Sequence, residues 1–136
     1  MRIAFYAPMK PPDSPVPSGD RAIARSLIKV LEHSGHAVKL ATRFQSREPS
    51  GDPGRQRALQ RQGEAVARSL VQDFRTTIRP DLWFTYHVYY KAPDWIGPVV
   101  AAELGIPYVA ADYEDCQFDC FPDGHNRGWF PSFMPS

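Results

Sequence analysis

The apolar and polar positions of the first forty residues change period twice. Ile3, Ala4, Phe5 and Tyr6 form a near-continuous apolar run, the pattern of a strand buried on both faces. Ile23, Leu27, Val30 and Leu31 then recur at three- and four-residue spacing, with Arg21, Arg25, Lys29 and Glu32 elsewhere on the wheel, which predicts an amphipathic helix. A second short apolar run covers residues 37–41. Strand, helix and strand in this order make a βαβ unit and imply a parallel sheet. The alternation continues downstream. A long helix is expected over residues 55–76, with Leu59, Val66, Leu70 and Phe74 on one face, and a third strand over residues 82–85. A short helix starting near Ile96 or Gly97 turns Ala101, Ala102 and Leu104 inward, and residues 106–111 read as a fourth strand. The expected fold is a three-layer, Rossmann-like α/β domain: a mainly parallel sheet of about four or more strands flanked by helices.

The punctuation agrees with these boundaries. Pro8, Pro11, Pro12, Pro15 and Pro17 forbid helix and central strand after the first run. Ser18 is suited to cap the helix that follows, and Gly35 to end it in a left-handed conformation. Residues 44–54 carry Pro49, Gly51, Pro53 and Gly54 and read as a loop, and residues 86–93 form an aromatic loop holding His87 and Lys91. Asp94 could cap the third helix, but Pro98 would then sit where the first intrahelical amide is needed. A start at Ile96 or Gly97, with Pro98 in the first turn, resolves the conflict. In open parallel sheets ligands sit outside the carboxyl ends of the strands, so the loop over residues 7–20 is where chemistry is expected.

A chain of 136 residues with 43% hydrophobic content suits one globular domain, assigned to residues 1–112. Residues 113–136 show neither helical nor strand periodicity and read as an irregular tail. The net charge of +1 gives no global argument for nucleic acid or an anionic surface. Charge is nevertheless uneven: residues 43–79 hold eight arginines against four acids, and residues 112–123 hold five acids and no base. A solvated helix face and an acidic tail account for both, so no nucleic-acid partner is expected. No apolar run reaches the length of a membrane span, and the N-terminus is a strand pattern rather than a signal segment. With two cysteines, Cys116 and Cys120, and no disulfide framework, a cytoplasmic chain with reduced thiols is expected.

Demanding motifs are missing. Ala7-Pro8-Met9-Lys10 stands where a dinucleotide site needs G-x-G-x-x-G, and the second strand ends in Thr42-Arg43 with no acidic ribose ligand. There is no G-x-x-x-x-G-K-[ST] loop, and Phe84-Thr85-Tyr86 lacks a phosphoacceptor aspartate. Cys116, Cys120 and His125 match no common zinc spacing and lack a fourth ligand. No cofactor and no metal are therefore expected.

Several stretches, taken in order, resemble a known family: Pro17-Ser18-Gly19-Asp20-Arg21; Leu31-Glu32-His33-Ser34-Gly35-His36-Ala37-Val38; Arg79-Pro80-Asp81-Leu82-Trp83; and Leu104-Gly105-Ile106-Pro107-Tyr108-Val109. Residues 1–112 are similar to the N-terminal, acceptor-side domain of family-four retaining glycosyltransferases, which have two facing Rossmann-like domains. The resemblance implies transfer of a sugar from a nucleotide sugar to an acceptor. Gly19, with Ser18, Asp20 and Arg21 around it, falls where that family's loop approaches the donor diphosphate, although Asp20 replaces a frequent second glycine. His87 matches a histidine found after the third strand, and Asp112 a polar position after the fourth; these two are the implied catalytic residues. Lys91 and Arg21 would add positive charge for a phosphate. The family's C-terminal domain, with its paired glutamates and most nucleotide-sugar contacts, has no counterpart here, which implies a truncated, split or frameshifted half that needs a second domain or chain and is inactive alone.

Rival readings stay open from the residues themselves. Ser18-Gly19 also serves as a plain helix start, His87 as a packing residue among Tyr86, Tyr89 and Tyr90, and Asp112 as a strand terminator. The alternative function is a non-enzymatic Rossmann-like module binding a phosphorylated small molecule or a protein partner.

Overall fold

A computed structural model describes residues 1–89 and 91–113, the last two by backbone alone. The chain runs β1 (Arg2–Tyr6), α1 (Gly19–His33), β2 (Ala37–Leu40), α2 (Pro53–Thr76), β3 (Leu82–Val88), α3 (Gly97–Leu104) and β4 (Tyr108–Tyr113). All strand pairs are parallel, in the order β2-β1-β3-β4. Register runs Ile3 to Val38 on one side of β1 and Ile3 to Leu82 on the other. The chain leaves β1 toward β2 and returns to β3, so the carboxyl ends of β1 and β3 flank the point where the winding reverses. That is where sheets of this topology open a crevice.

Alternation along the central strands divides the core. Phe5, Phe84 and Tyr86 face α1, where they pack with Ala24, Leu27 and Ile28, and the Phe5 and Phe84 rings stack at 5.5 Å. Ala4, Tyr6 and Trp83 face the opposite layer, built from Ala67 and Val71 of α2 and Val100, Ala101 and Leu104 of α3. Three layers result, α1 on one face and α2 with α3 on the other. Among the described residues no helix is long and apolar enough to cross a membrane.

Caps set the helix limits. The Ser18 hydroxyl accepts the Arg21 amide at 3.1 Å. At the other end of α1, Gly35 takes φ 94°; its amide reaches the Glu32 carbonyl and the His36 amide reaches Leu31, closing a Schellman motif. α2 begins two residues earlier than the pattern indicates, because Asp52 accepts the Gly54 and Arg55 amides and Pro53 needs no amide partner at the first turn. α3 starts at Gly97 with Pro98 in its first turn, as expected.

Three expectations need correction. The buried stripe of α1 is Ala24 with Leu27, Ile28 and Leu31 inward, whereas Ile23 and Val30 are 51% and 61% exposed. Apolar residues occupy more than half of this helix's circumference, and the small Ala24 lets α1 sit close on Phe5 and Tyr86. In α3 Ala101 and Leu104 are buried as expected but Ala102 is exposed, whereas the face expected of α2 packs on the core through Val66, Leu70 and Phe74, centred on Gly63, Ala67 and Val71. β3 runs on to Val88, and β4 is shifted to Tyr108–Tyr113, because the two strands keep pairing past the positions where the apolar pattern fades.

Candidate functional site

At the reversal point two predicted residues meet. The N-terminal turn of α1 places Asp20, and the end of β3 places His87, with Asp20 Oδ1 and His87 Nδ1 2.6 Å apart. Both side chains are largely buried, at 11% and 15% exposure. A carboxylate can only accept, so Nδ1 carries the proton and the basic nitrogen of the neutral ring is Nε2. His87 has φ 65°, the one non-glycine positive φ among the described residues. Left-handed backbone costs about 1–2 kcal/mol for an L-residue and persists where the surroundings enforce it, often at functional sites. Here the enforcing contacts are the Asp20 pair, a stack on Tyr89 at 5.0 Å and a tilted contact with Tyr86 at 5.6 Å.

The same turn of α1 leaves polar atoms unmet. Asp20 Oδ2 and Arg21 Nε are buried without a hydrogen-bond partner among the described residues, a condition that protein interiors rarely tolerate. Gly19 opens this turn, and a methyl group there would meet no atom within 4 Å, so a ligand can approach the backbone closely.

The loop after β1 is held in place from below. Ser46 donates its amide to the Pro8 carbonyl at 2.9 Å and Gln45 its carboxamide to Met9 at 3.0 Å. Arg25 Nε donates to the Pro12 carbonyl at 2.7 Å, and Arg43 pairs with Asp13. A proline-rich segment with these anchors is a stiff wall.

The remaining predicted residues lie apart or beyond description. Lys91 lines a different recess of about 190 Å³ with Glu48, Gln56, Arg57 and Trp95, and its carbonyl accepts the Glu48 amide at 2.7 Å. Glu48 is held below the usual carboxylate range chiefly by the Ser50 hydroxyl, with the Ser50 amide and the Arg55 charge adding to it against the effect of burial. Asp112 lies in β4 between the pairs Tyr86 to Ala111 and Val88 to Tyr113, across from His87 in register; its side chain lies outside the described residues, as do Tyr90, Cys116, Cys120 and His125. Among the described residues no group of His, Cys, Asp and Glu is arranged to hold a metal ion. A larger cleft of about 570 Å³, lined by Leu40, Leu70, Phe74 and Ile78 among others, opens beside β2. Neither recess includes Asp20 or His87.

One buried polar group holds the start of α3 although the sequence reading sets it aside as a cap. The Asp94 carboxyl, fully buried, accepts the Ile96 and Gly97 amides at 3.0 and 2.7 Å and the Thr85 and Tyr108 hydroxyls at 2.7 and 2.6 Å. Thr85 in turn accepts Trp83 Nε1 at 2.7 Å. Burial raises the Asp94 carboxyl above its ordinary value while the four donors pull the other way, and the buried Tyr108 and Tyr6 hydroxyls are pushed well up by desolvation and then by the Asp94 charge. This network joins β3, β4 and the start of α3 directly behind the edge that carries His87. The only sequence signal for it is an aspartate at a helix start.

Comparison of the chain with family models, with curated proteins and with solved structures returned no match.

Proposed function

We propose that this chain is the acceptor-side domain of a retaining glycosyltransferase, one wall of a cleft in which a sugar passes from a nucleotide sugar to an acceptor hydroxyl. The observation that carries the reading is the Asp20–His87 pair at the reversal point, held with His87 at φ 65°. His87, which the resemblance singles out, and Asp20, which stands where the family often has a second glycine, converge there from 67 positions apart in sequence. In this reading Asp20 and His87 form a positioning pair, with the imidazole fixed at the edge of the cleft and its Nε2 buried rather than open to the sugar. Gly19 permits close approach of the leaving diphosphate, and Arg21 supplies charge to it as the bond between sugar and phosphate breaks. Asp112, opposite His87 in register, is the other catalytic residue that the resemblance implies. The second wall is a separate domain or chain, and without it no transfer occurs.

The unmet Arg21 Nε favours a second reading, a binding module for a phosphorylated small molecule. Calorimetry separates the two. The transferase reading expects weak binding of nucleotide sugars and no sugar transfer by the purified chain; submicromolar binding of one sugar phosphate without any partner supports the module instead. Robust transfer by the chain alone contradicts both.

A further inference from the structure

Independently of that reading, the structure places a basic surface on α2. Arg57, Arg61, Arg68 and Arg75 follow at spacings of four, seven and seven, which at 3.6 residues per turn confines them to about 40° of the helix circumference. All four are exposed. The stripe is about 27 Å long at 1.5 Å per residue. The outward face beside it consists of Gln62, Ala65, Ser69, Gln72 and Thr76, exposed and uncharged. The two acids of α2, Glu64 and Asp73, stand at the two margins of this face. Arg75 is drawn toward the Glu103 carboxylate at 3.5 Å and the Glu103 carbonyl at 3.3 Å. Among the described residues no carboxylate lies within ion-pair distance of Arg57, Arg61 or Arg68.

We propose that this face of α2 docks the chain on an anionic lipid surface. The charge is complementary, and guanidinium groups fork onto phosphate oxygens. A stripe along one side of a 24-residue helix suits a flat array of headgroups. The apolar side of α2 is committed to the core through Ala67 and Val71, so the attachment is electrostatic and peripheral rather than an inserted amphipathic helix. Single-stranded nucleic acid is a poorer fit, because its binding surfaces interleave aromatic rings with the charges and this face has none.

Sedimentation of the full chain with vesicles tests the proposal. Vesicles of phosphatidylcholine with one third phosphatidylglycerol should retain it at low salt, release it as salt rises, and leave it in solution when phosphatidylglycerol is omitted. At about fivefold per arginine, Arg61→Gln with Arg68→Gln should weaken retention roughly 25-fold. Lys29→Gln with Lys39→Gln, an equal charge change off the stripe, should leave it unchanged, and circular dichroism should show all variants folded. Retention that ignores salt or phosphatidylglycerol, equal losses in both double variants, or no retention at all overturns the proposal. Tighter binding to an oligonucleotide than to the vesicles, measured by anisotropy and weakened by the same two arginine substitutions, assigns the stripe to nucleic acid and also overturns it.

Discussion

His87 concentrates the account at the scale of single residues. A histidine at φ 65° is strained, and its ring is the partner of Asp20. His87→Gly relieves the backbone strain but leaves the buried Asp20 carboxylate without its partner, so thermal unfolding should show a lowered melting temperature that adding Asp20→Asn restores, with ligand binding at this edge lost. A histidine serving only as packing would give a lower melting temperature that Asp20→Asn does not restore, because the Tyr86 and Tyr89 contacts are lost in either background. Asp94 behaves differently, because four donors depend on it. Asp94→Ala orphans two amides and two hydroxyls in the core, and urea unfolding should show a loss of about 3–5 kcal/mol. The sign of its pH effect follows from the direction of the shift. Burial raises the folded carboxyl's pKa, so the folded state holds the proton more tightly than the unfolded state does. Its contribution is therefore fully present below the ordinary carboxylate range and falls as pH rises through that range toward the raised value. Glu48 acts in reverse: its lowered carboxyl contributes stability above the carboxylate range and loses it as pH falls through the folded value. Unfolding midpoints measured across acidic pH should lose the Asp94 component in Asp94→Asn and the Glu48 component in Glu48→Gln.

Elements were legible where a single period ran long enough and illegible where partners lay far apart in sequence. The βαβ opening, the Ser18 cap, the Gly35 terminator and the displaced start of α3 all follow from local chemistry, and the structure has them. The buried face of α1 did not follow, because Ile23 and Val30 look more like core than Ala24 does, and only the closeness of Phe5 and Tyr86 decides between them. The continuation of β3 past Thr85 depends on pairing with β4, which no local pattern encodes. The Asp94 network depends on the same register, which brings Tyr108 and Thr85 to one carboxylate. Two glycines test the packing of these elements. A methyl at Gly97 would lie 2.5 Å from Asp94 Oδ2, Trp83 Nε1 and Tyr108 Cε2, all fully or almost fully buried. Gly97→Ala should therefore cost about 1–3 kcal/mol or more in chemical unfolding. At Gly19 nothing lies within 4 Å, so Gly19→Ala should leave stability within about 1 kcal/mol and act, if the edge binds a diphosphate, on affinity alone.

For the whole molecule, the arrangement is that of a wall. One edge of a four-stranded parallel sheet carries a stiff proline-rich loop, a helix N-terminus with unmet polar atoms, and a strained histidine paired with an aspartate. The missing glycine motif argues against a dinucleotide cradle, and the candidate residues come from a resemblance rather than from periodicity. Folding brings Asp20 and His87 together and sets Lys91 in another recess. The most direct test of the central claim is nuclear magnetic resonance titration of the full chain with a nucleotide sugar such as a uridine diphosphate hexose. The account predicts that the amides of Gly19, Asp20 and Arg21 and the ring of His87 shift together and saturate on one curve, that His87→Ala abolishes the shifts, and that no sugar is transferred. Saturable shifts that leave these four residues unmoved, or transfer by the isolated chain, would contradict it.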